Sequence, residues 1–532
     1  MADEGLIRIV ADPAGMRWDV PDYGHVHNPC KLLVNATYNE GAYVPRPMII
    51  TELNSSTYTA TANWVHRYVA GAVDQLLLVT SSGRVEVYDG TTLTQIFNLS
   101  MSVTESVAFN FNSKVGYTLY PSGAPREWDN STSQAIPLTR PATGDWASLA
   151  DTDIAGGHPF KGRVFYWSPK TNELIYTALG AIGGTLVRFP TETVSQTGGG
   201  VKLCTSLTMD GGNGPDDLFV IILTTGECLI YQGDDPGDAK AWEIVGRFNL
   251  PVPINANCVV RIGGDVLMLT NKGLIPLQQY IKGQLGQITQ PWLRQINPYI
   301  ERFFSWSIII TSINARLRYS DGENKLFVHM RGSANGITLV FDVRNGTWAV
   351  WAVGPYINDG VGESRYFLVA TLSTVSMLDS NQIGNVTYLS VNHTTTRIAE
   401  VTFRHSPGVD FDGLPVQCIW ETTYNVFPSG QKCNHARLVA FNFDKVGTVL
   451  NNWSFLKQSD AEYLMVQQRY GTGIPVSDFD RQWFAIAGQD YSSKFQVRWM
   501  ITQGAVGGTP YGAEGVQVFA IEVTADPNVI GP

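Results

Sequence analysis

The sequence predicts an all-β chain, a β-propeller of about six or seven blades joined to a β-sandwich-like platform domain. Three observations carry that prediction. A strand, a tight glycine turn and a second strand ending in an aromatic residue recur along the chain. The hairpins repeat at intervals in the range of propeller blades, which marks a radially repeated architecture. Beyond about residue 400 this signature gives way to longer alternating strands.

The first clear copy is LLLVTSSGRVEVYDG, where Gly83 is followed by Tyr88 and Asp89. The same offsets occur at Gly123 (Trp128, Asp129), Gly226 (Tyr231, Gln232) and Gly336 (Phe341, Asp342). Weaker copies centre on Gly273, Asn172 and Val375. Successive turn centres lie 40, 49, 54, 47, 63 and 39 residues apart. Four short strands with their turns need about 40 to 50 residues. The longest interval holds QPWLRQINPYIERFFSW, whose apolar spacing and early Pro291 predict a short helix between blades. In RVEVYDG, Val85 and Val87 face one side of the strand and Arg84, Glu86 and Tyr88 the other. The aromatic residue after each turn is expected to wedge against the next blade, while Asp89, Asp129 and Asp342 open the following turn by binding their own backbone amides.

The domain reading that follows is an extended N-terminal arm packing on the body over 1–55, a propeller over 56–400 and an antiparallel β platform over 401–532. The arm is rich in Pro, Asn and Tyr with little alternation. The platform strands include HARLVAFNF, KFQVRWMITQG and GVQVFAIEVTA.

Composition narrows the function classes. The 532 residues are 44% hydrophobic and only 16% charged, a balance that suits surface covered by oligomerisation. The formal net charge of -10 comes without a basic arm, which argues against phosphate-backbone binding by clustered Lys and Arg. An acidic wall instead lets a duplex slide. Cysteines 30, 204, 228, 258, 418 and 433 are scattered, without the paired spacing of a zinc site, and read as reduced thiols. MADEGLIRIVADP does not read as a signal peptide, and no apolar run reaches the roughly 18 residues of a membrane span. The sequons at Asn35, Asn54, Asn345 and Asn392 read as by-products of an Asn- and Thr-rich chain.

Catalytic and ligand-binding readings find little. Glycosidic cleavage needs paired carboxylates, yet the acids here cluster in turns, DGGNGPDD at 210–217 and QGDDPGD at 232–238. Turn chemistry accounts for them, and calcium binding through acids such as Asp210, Asp216 and Asp234 stays open. His25 and His27 form an H-x-H without a third ligand nearby. No nucleophile elbow, Walker loop or H-E-x-x-H occurs, and GVGES and TGGG lack what a phosphate cradle needs. No catalytic, cofactor-binding or metal-ligating residue is therefore assigned, and no cofactor is expected.

One stretch carries more information. From about 160 to 280 run FKGRVFYWSPKTNELIYTALGAIGG, then LTMDGGNGPDDLFVIILTTGECLIYQGDDPGDAKAWEIVGRFNLPVPI, then CVVRIGGDVLMLTNKGLIPL. An aromatic strand, a D-G-x-D-D-like turn, a T-x-G-E hairpin, a Y-x-G-x-D-P turn and a G-G-D strand leading to G-hydrophobic-x-P-L follow in order. They fall at Asp210 to Asp217, Thr225 to Glu227, Tyr231 to Pro236, Gly263 to Asp265 and Gly273 to Leu277. This stretch, under a third of the chain, resembles the tail nozzle proteins of short-tailed bacteriophages, also described as tail tube or packaged-DNA stabilisation proteins.

The resemblance implies a non-enzymatic virion protein, a propeller joined to a sheet platform, assembled in the host bacterial cytoplasm. Six copies would form a tube below the head-to-tail adaptor ring, retain packaged DNA and conduct it without specific binding. Tail fibres or spikes would dock near the adaptor junction, and no membrane anchor is implied. On that reading, loops near 180–200 and 355–364 are the candidate DNA gate, with Gly-rich hinges. Alternatives from other classes are a tail-associated polysaccharide depolymerase and a glycan-binding propeller for host attachment.

Overall fold

Consecutive hairpins dominate the computed structural model, which describes residues 6–11, 30–51, 62–210, 215–282, 290–307, 314–331, 336–352, 376–392 and 396–402, and most strands between 416 and 526. Six separate antiparallel sheets form a six-bladed propeller. The first blade comprises Ala62–Ala70, Val73–Thr80, Arg84–Tyr88 and Leu93–Asn98, and the second Ala108–Phe111, Lys114–Leu119, Gly123–Trp128 and Ser133–Ala135. Gly156–Phe160, Arg163–Trp167, Glu173–Tyr176 and Val187–Pro190 make the third, and Val201–Asp210, Pro215–Leu223, Glu227–Gly233 and Trp242–Asn249 the fourth. The fifth has three strands, Val259–Ile262, Asp265–Thr270 and Gly273–Pro276. The sixth pairs Ser376–Ile383, Val386–Asn392 and Thr396–Thr402 with Met48–Thr51. A further four-strand meander, 314–351, stands between the fifth and sixth blades. Contacts between neighbours run mainly through the first strands, and Ser376–Ile383 lies beside Ala62–Ala70 to close the ring.

The glycine turns sit where the repeat places them. Gly83, Gly226 and Gly273 each join the second and third strands of a blade with φ of 76°, 90° and 103°. That backbone region is open to glycine at no steric cost. The copy around Val375 departs from the pattern. Val375 itself lies outside the described residues, but Ser376 opens the first strand of the sixth blade rather than its third. The run YFLVATLSTVSML alternates like a hairpin, yet the partner of its last residues is Val386–Asn392.

The aromatic residues after the turns are buried, and they pack backward rather than forward along the ring. Tyr231 of the fourth blade meets Phe189 of the third edge to face at 5.2 Å. Trp128 of the second joins a cluster with Trp64 and Tyr68 of the first. Tyr88 of the first meets Tyr388 of the sixth at 5.4 Å.

The predicted helix is present as Pro291–Ser307 and starts at Pro291. Leu293, Ile296, Tyr299, Ile300, Phe303 and Phe304 form its buried stripe. It covers the fifth blade, which lacks a fourth strand among the described residues. The side-chain amide of Asn297 replaces that strand locally, accepting from the Leu274 N–H at 2.8 Å and donating to the Leu274 carbonyl at 3.0 Å. Truncating Asn297 would orphan both backbone groups, at about 1–3 kcal/mol each.

The 1–55 segment does more than lie along the body. Met48–Thr51 is the outer strand of the sixth blade. Cys30–Val34 pairs antiparallel with Val416–Thr422 and touches Val350 of the meander in parallel register. Leu6–Val10 pairs with Ala513–Asp526. Asn35, at φ 53°, is the hub: its Oδ1 accepts from Arg46 Nε and from the Ala352 N–H, both at 2.8 Å. At 1% exposure, Asn35 is no accessible glycosylation acceptor. In the platform, the 24-residue strand His435–Gln458 pairs first with Ala513–Asp526 and then with Lys494–Val506. A strand that changes partners midway joins these strands into one closed circuit, which also takes in the meander and strands of the 1–55 segment.

Candidate functional site

The turn acids are occupied by backbone. Asp89 Oδ1 accepts from the amides of Thr91 and Thr92 at 2.8 and 2.7 Å, and Asp129 Oδ1 from those of Ser131 and Thr132 at 3.0 and 2.8 Å. Asp342 does the same with Arg344 and Asn345. The amide of Thr132, then the hydroxyl and amide of Ser131, hold the Asp129 carboxyl at about 2. In the 232–238 turn, Asp235 caps the Gly237 amide and pairs with Arg163 of the third blade at 3.3 Å, and Asp238 caps Lys240. Asp234 enters this turn through its backbone, whose N–H bonds to the Ala241 carbonyl. Asp217 bonds to Thr208 and faces Lys161. The side chains of Asp210 and Asp216, and His25 and His27 altogether, lie outside the described residues. Among the described residues no three His, Cys, Asp or Glu side chains are grouped as a metal site, and no helix is long and apolar enough to cross a membrane.

Sequence reading missed a second set of carboxylates. Glu86, Glu127, Glu173 and Glu227 are all buried, one on the third strand of each of the first four blades. Their partners are Arg84, Lys114 at 2.7 Å, Arg188 and, more distantly, Arg247 at 3.9 Å. Alternation put Glu86 on the face opposite Val85 and Val87, and neighbouring blades cover both faces of these sheets.

Glu227, the acid of the T-x-G-E hairpin, clamps the loop that leads into the fourth blade. Its carboxylate accepts from the Ser195 hydroxyl at 2.8 Å, the Gln196 and Thr197 amides at 2.9 Å, and the Thr197 hydroxyl at 2.8 Å. Burial works to raise the carboxyl, and these donors more than offset it, holding it at about 2. The clamp corrects the gate reading of 180–200. Val187–Pro190 is the outer strand of the third blade, and residues 195–197 are tied down rather than free to swing. The 355–364 candidate lies outside the described residues. Because the folded carboxyl sits below its ordinary value of about 4.3, the clamp's contribution is complete above that pH and fades as pH falls through about 2. Glu227→Ala should speed hydrogen exchange at the Gln196 and Thr197 amides at neutral pH; unchanged exchange contradicts the clamp.

The densest polar constellation lies where the first strands converge. Arg316 and Arg318 alternate on the first strand of the meander and so project from one face. Both face Asp379 of the sixth blade, Arg318 Nη2 at 2.9 Å and Arg316 Nε at 3.9 Å. Asp379 is fully buried and also accepts the Val65 N–H of the first blade at 2.8 Å. Arg318 continues to Asn257 Oδ1 at 3.1 Å, and Asn257 Nδ2 donates to the Ser106 carbonyl at 2.9 Å. Ser106 Oγ lies 3.2 Å from His66 Nε2, which closes the loop on the first blade. Beside it, Glu105 accepts the Ala256 N–H at 2.7 Å. His329 lies between the hydroxyls of Thr338 and Ser380 at 3.0 and 2.9 Å.

Burial raises the Asp379 carboxyl, but Arg318 and Arg316 beside it outweigh that and keep it below the ordinary range. Burial, then Arg318, pushes the His66 imidazole down to about 3; burial likewise lowers His329 to about 4, so both are neutral at pH 7. These bonds join segments that precede the second and fifth blades, so side chains close the middle of the ring at this level. Chemically, the constellation is a structural staple. Its Asp is held by two guanidiniums and an amide, and the buried Glu105 beside it by the Ala256 amide.

No protein-family model matches the chain, and no curated protein matches it. Among solved structures, the chain is similar to BBS1N in complex with ARL6DN at 12% identity and a TM-score of 0.28, over 44% of this chain and 73% of that one. It is also similar to a putative exported protein from Bacteroides fragilis NCTC 9343 at 8% identity and a TM-score of 0.30, over 71% of this chain and 97% of that one. The propeller architecture rests on this chain's own strand pairing.

Proposed function

We propose that the chain is a structural subunit of a short-tailed phage tail nozzle, six copies of which bound a DNA conduit beneath a head-to-tail adaptor ring. The observation that carries the reading is the 160–280 stretch. Its ordered motifs fall on the third, fourth and fifth blades, and its acids serve the architecture: Glu227 clamps a loop, Asp235 bridges to Arg163, and Asp265 accepts the Gln278 amide at 3.0 Å.

The closed centre specifies the DNA path on this reading. Hydrogen bonds of 2.7 and 2.9 Å tie 105–106 to 256–257, whereas a B-DNA major groove alone is about 12 Å wide. DNA therefore runs through the lumen enclosed by six copies and not along a propeller axis. A net charge of -10 keeps that wall from holding its cargo. Particles assembled without this chain should carry the portal and adaptor, lack the distal tube and lose packaged DNA. Particles that keep a full genome and infect normally would overturn the reading.

A further inference from the structure

The sixth blade carries hydrogen bonds and buried charge at both of its seams. The third and fourth blades meet through an aromatic cluster, Phe160 and Phe165 against Phe219 and Trp242, with ring centroids 4.4 to 5.8 Å apart. The sixth blade meets the first through Asp379 and Asn381, which bond the Val65 N–H and carbonyl at 2.8 and 3.0 Å. Ser390 adds a bond to the Ala62 carbonyl at 2.7 Å, and Asp74 accepts the Gly384 N–H at 2.6 Å. The small cluster around Tyr88 and Tyr388 is the apolar part of this seam.

The other seam, toward the meander, adds polar bonds to an apolar contact, since Met377, Leu389 and Val391 share a core cluster with Leu317, Leu326 and Val328. Arg318 binds Asp379, His329 meets Ser380, and Ser320 bonds Gln382 and Thr387, each at 2.8 Å in the last two cases. The blade's outer strand, Met48–Thr51, comes from the far end of the chain.

We propose that the sixth blade is a releasable unit of the propeller, and that acid opens the ring at the charged and hydrogen-bonded contacts of its two seams before the other blades part. Around Asp379 stand Arg316 and Arg318 on the meander's first strand, His329 on its second and His66 on the first blade, with Glu105 one residue beyond Ser106. Arg67 pairs with Asp74, and Lys325 faces Asp342 and, at 3.9 Å, Glu323, whose carboxyl burial pushes up to about 7 beside Thr387 of the sixth blade, so it takes up the first proton at this seam. Acidification neutralises Asp379 and charges His66 and His329 beside two guanidiniums. Every proton taken up adds positive charge to the same buried site, so opening takes up several protons together.

Hydrogen exchange of the full-length protein between pH 7 and pH 3, corrected for intrinsic rates, tests this. Peptides covering 62–70 and 376–392 should lose protection at higher pH than those covering 218–223, with a pH dependence steeper than one proton. Asp379→Asn should expose the 376–392 peptides at neutral pH. The His66→Gln, His329→Gln double variant should keep the wild-type pattern at pH 7 and flatten the acid transition. Simultaneous loss of protection in all blades, or an acid transition untouched by the double variant, would overturn the proposal.

Discussion

Asp379→Ala should be among the most destabilising single substitutions in this protein, lowering stability by about 3–5 kcal/mol. The carboxylate is fully buried and serves Arg318, Arg316 and the Val65 amide at once. Removing it strands Arg316, which is 2% exposed and keeps two carbonyls and the Asn314 side chain as hydrogen-bond partners among the described residues, with its guanidinium 5.1 Å from the Trp64 ring centre. A buried charge without its counter-charge costs far more than the pair contributes. The diagnostic is therefore partial rescue: Arg316→Met in the Asp379→Ala background should regain stability, a positive coupling that two independent lesions would not show. Urea midpoints of the four proteins of the cycle provide the check, read through the tryptophan signal. Equal and additive losses would mean that the cluster is not a unit.

Phe219→Ala should cost a comparable 3–5 kcal/mol or so, by a different route. Phe219 is completely buried, with ring centroids 4.4 Å from Phe165, 5.2 Å from Phe160 and 5.8 Å from Trp242. These rings belong to two blades, so the truncation opens a cavity across the seam that the third and fourth blades share. Transfer and cavity terms add there because facing strands cannot collapse onto the gap. Phe219→Leu keeps most of the apolar volume and should lose only roughly 1–2 kcal/mol. Equal losses for the two variants would show that ring packing is not what holds this seam.

What was legible in the sequence was local. Glycine turns at 83, 226 and 273 announce themselves because φ of 76° to 103° excludes other residues at low cost. Asp89 and Asp129 were readable for the same reason, since a turn aspartate binds amides two and three residues on. The helix at Pro291 followed from apolar spacing and an N-terminal proline.

What was not legible depends on partners far along the chain. Arg316 and Asp379 are 63 residues apart, and Asp379 meets the Val65 amide across 314 residues. Alternating charges on a strand read as a solvated face unless a second blade covers them. The buried glutamates escaped notice on the same ground, as did the strands of the 1–55 segment, whose partners lie in the sixth blade and beyond residue 416. The Val375 copy misled because an alternating apolar run does not reveal which strand it will pair with.

The functional reading is tested most directly by electron microscopy of the purified protein mixed with the products of its flanking genes. The account predicts a six-fold ring of this chain capping an adaptor ring, with a lumen between the six propellers wide enough for a duplex. A protein that stays monomeric with an adaptor present, or a ring whose only opening runs through each propeller's own centre, would contradict it.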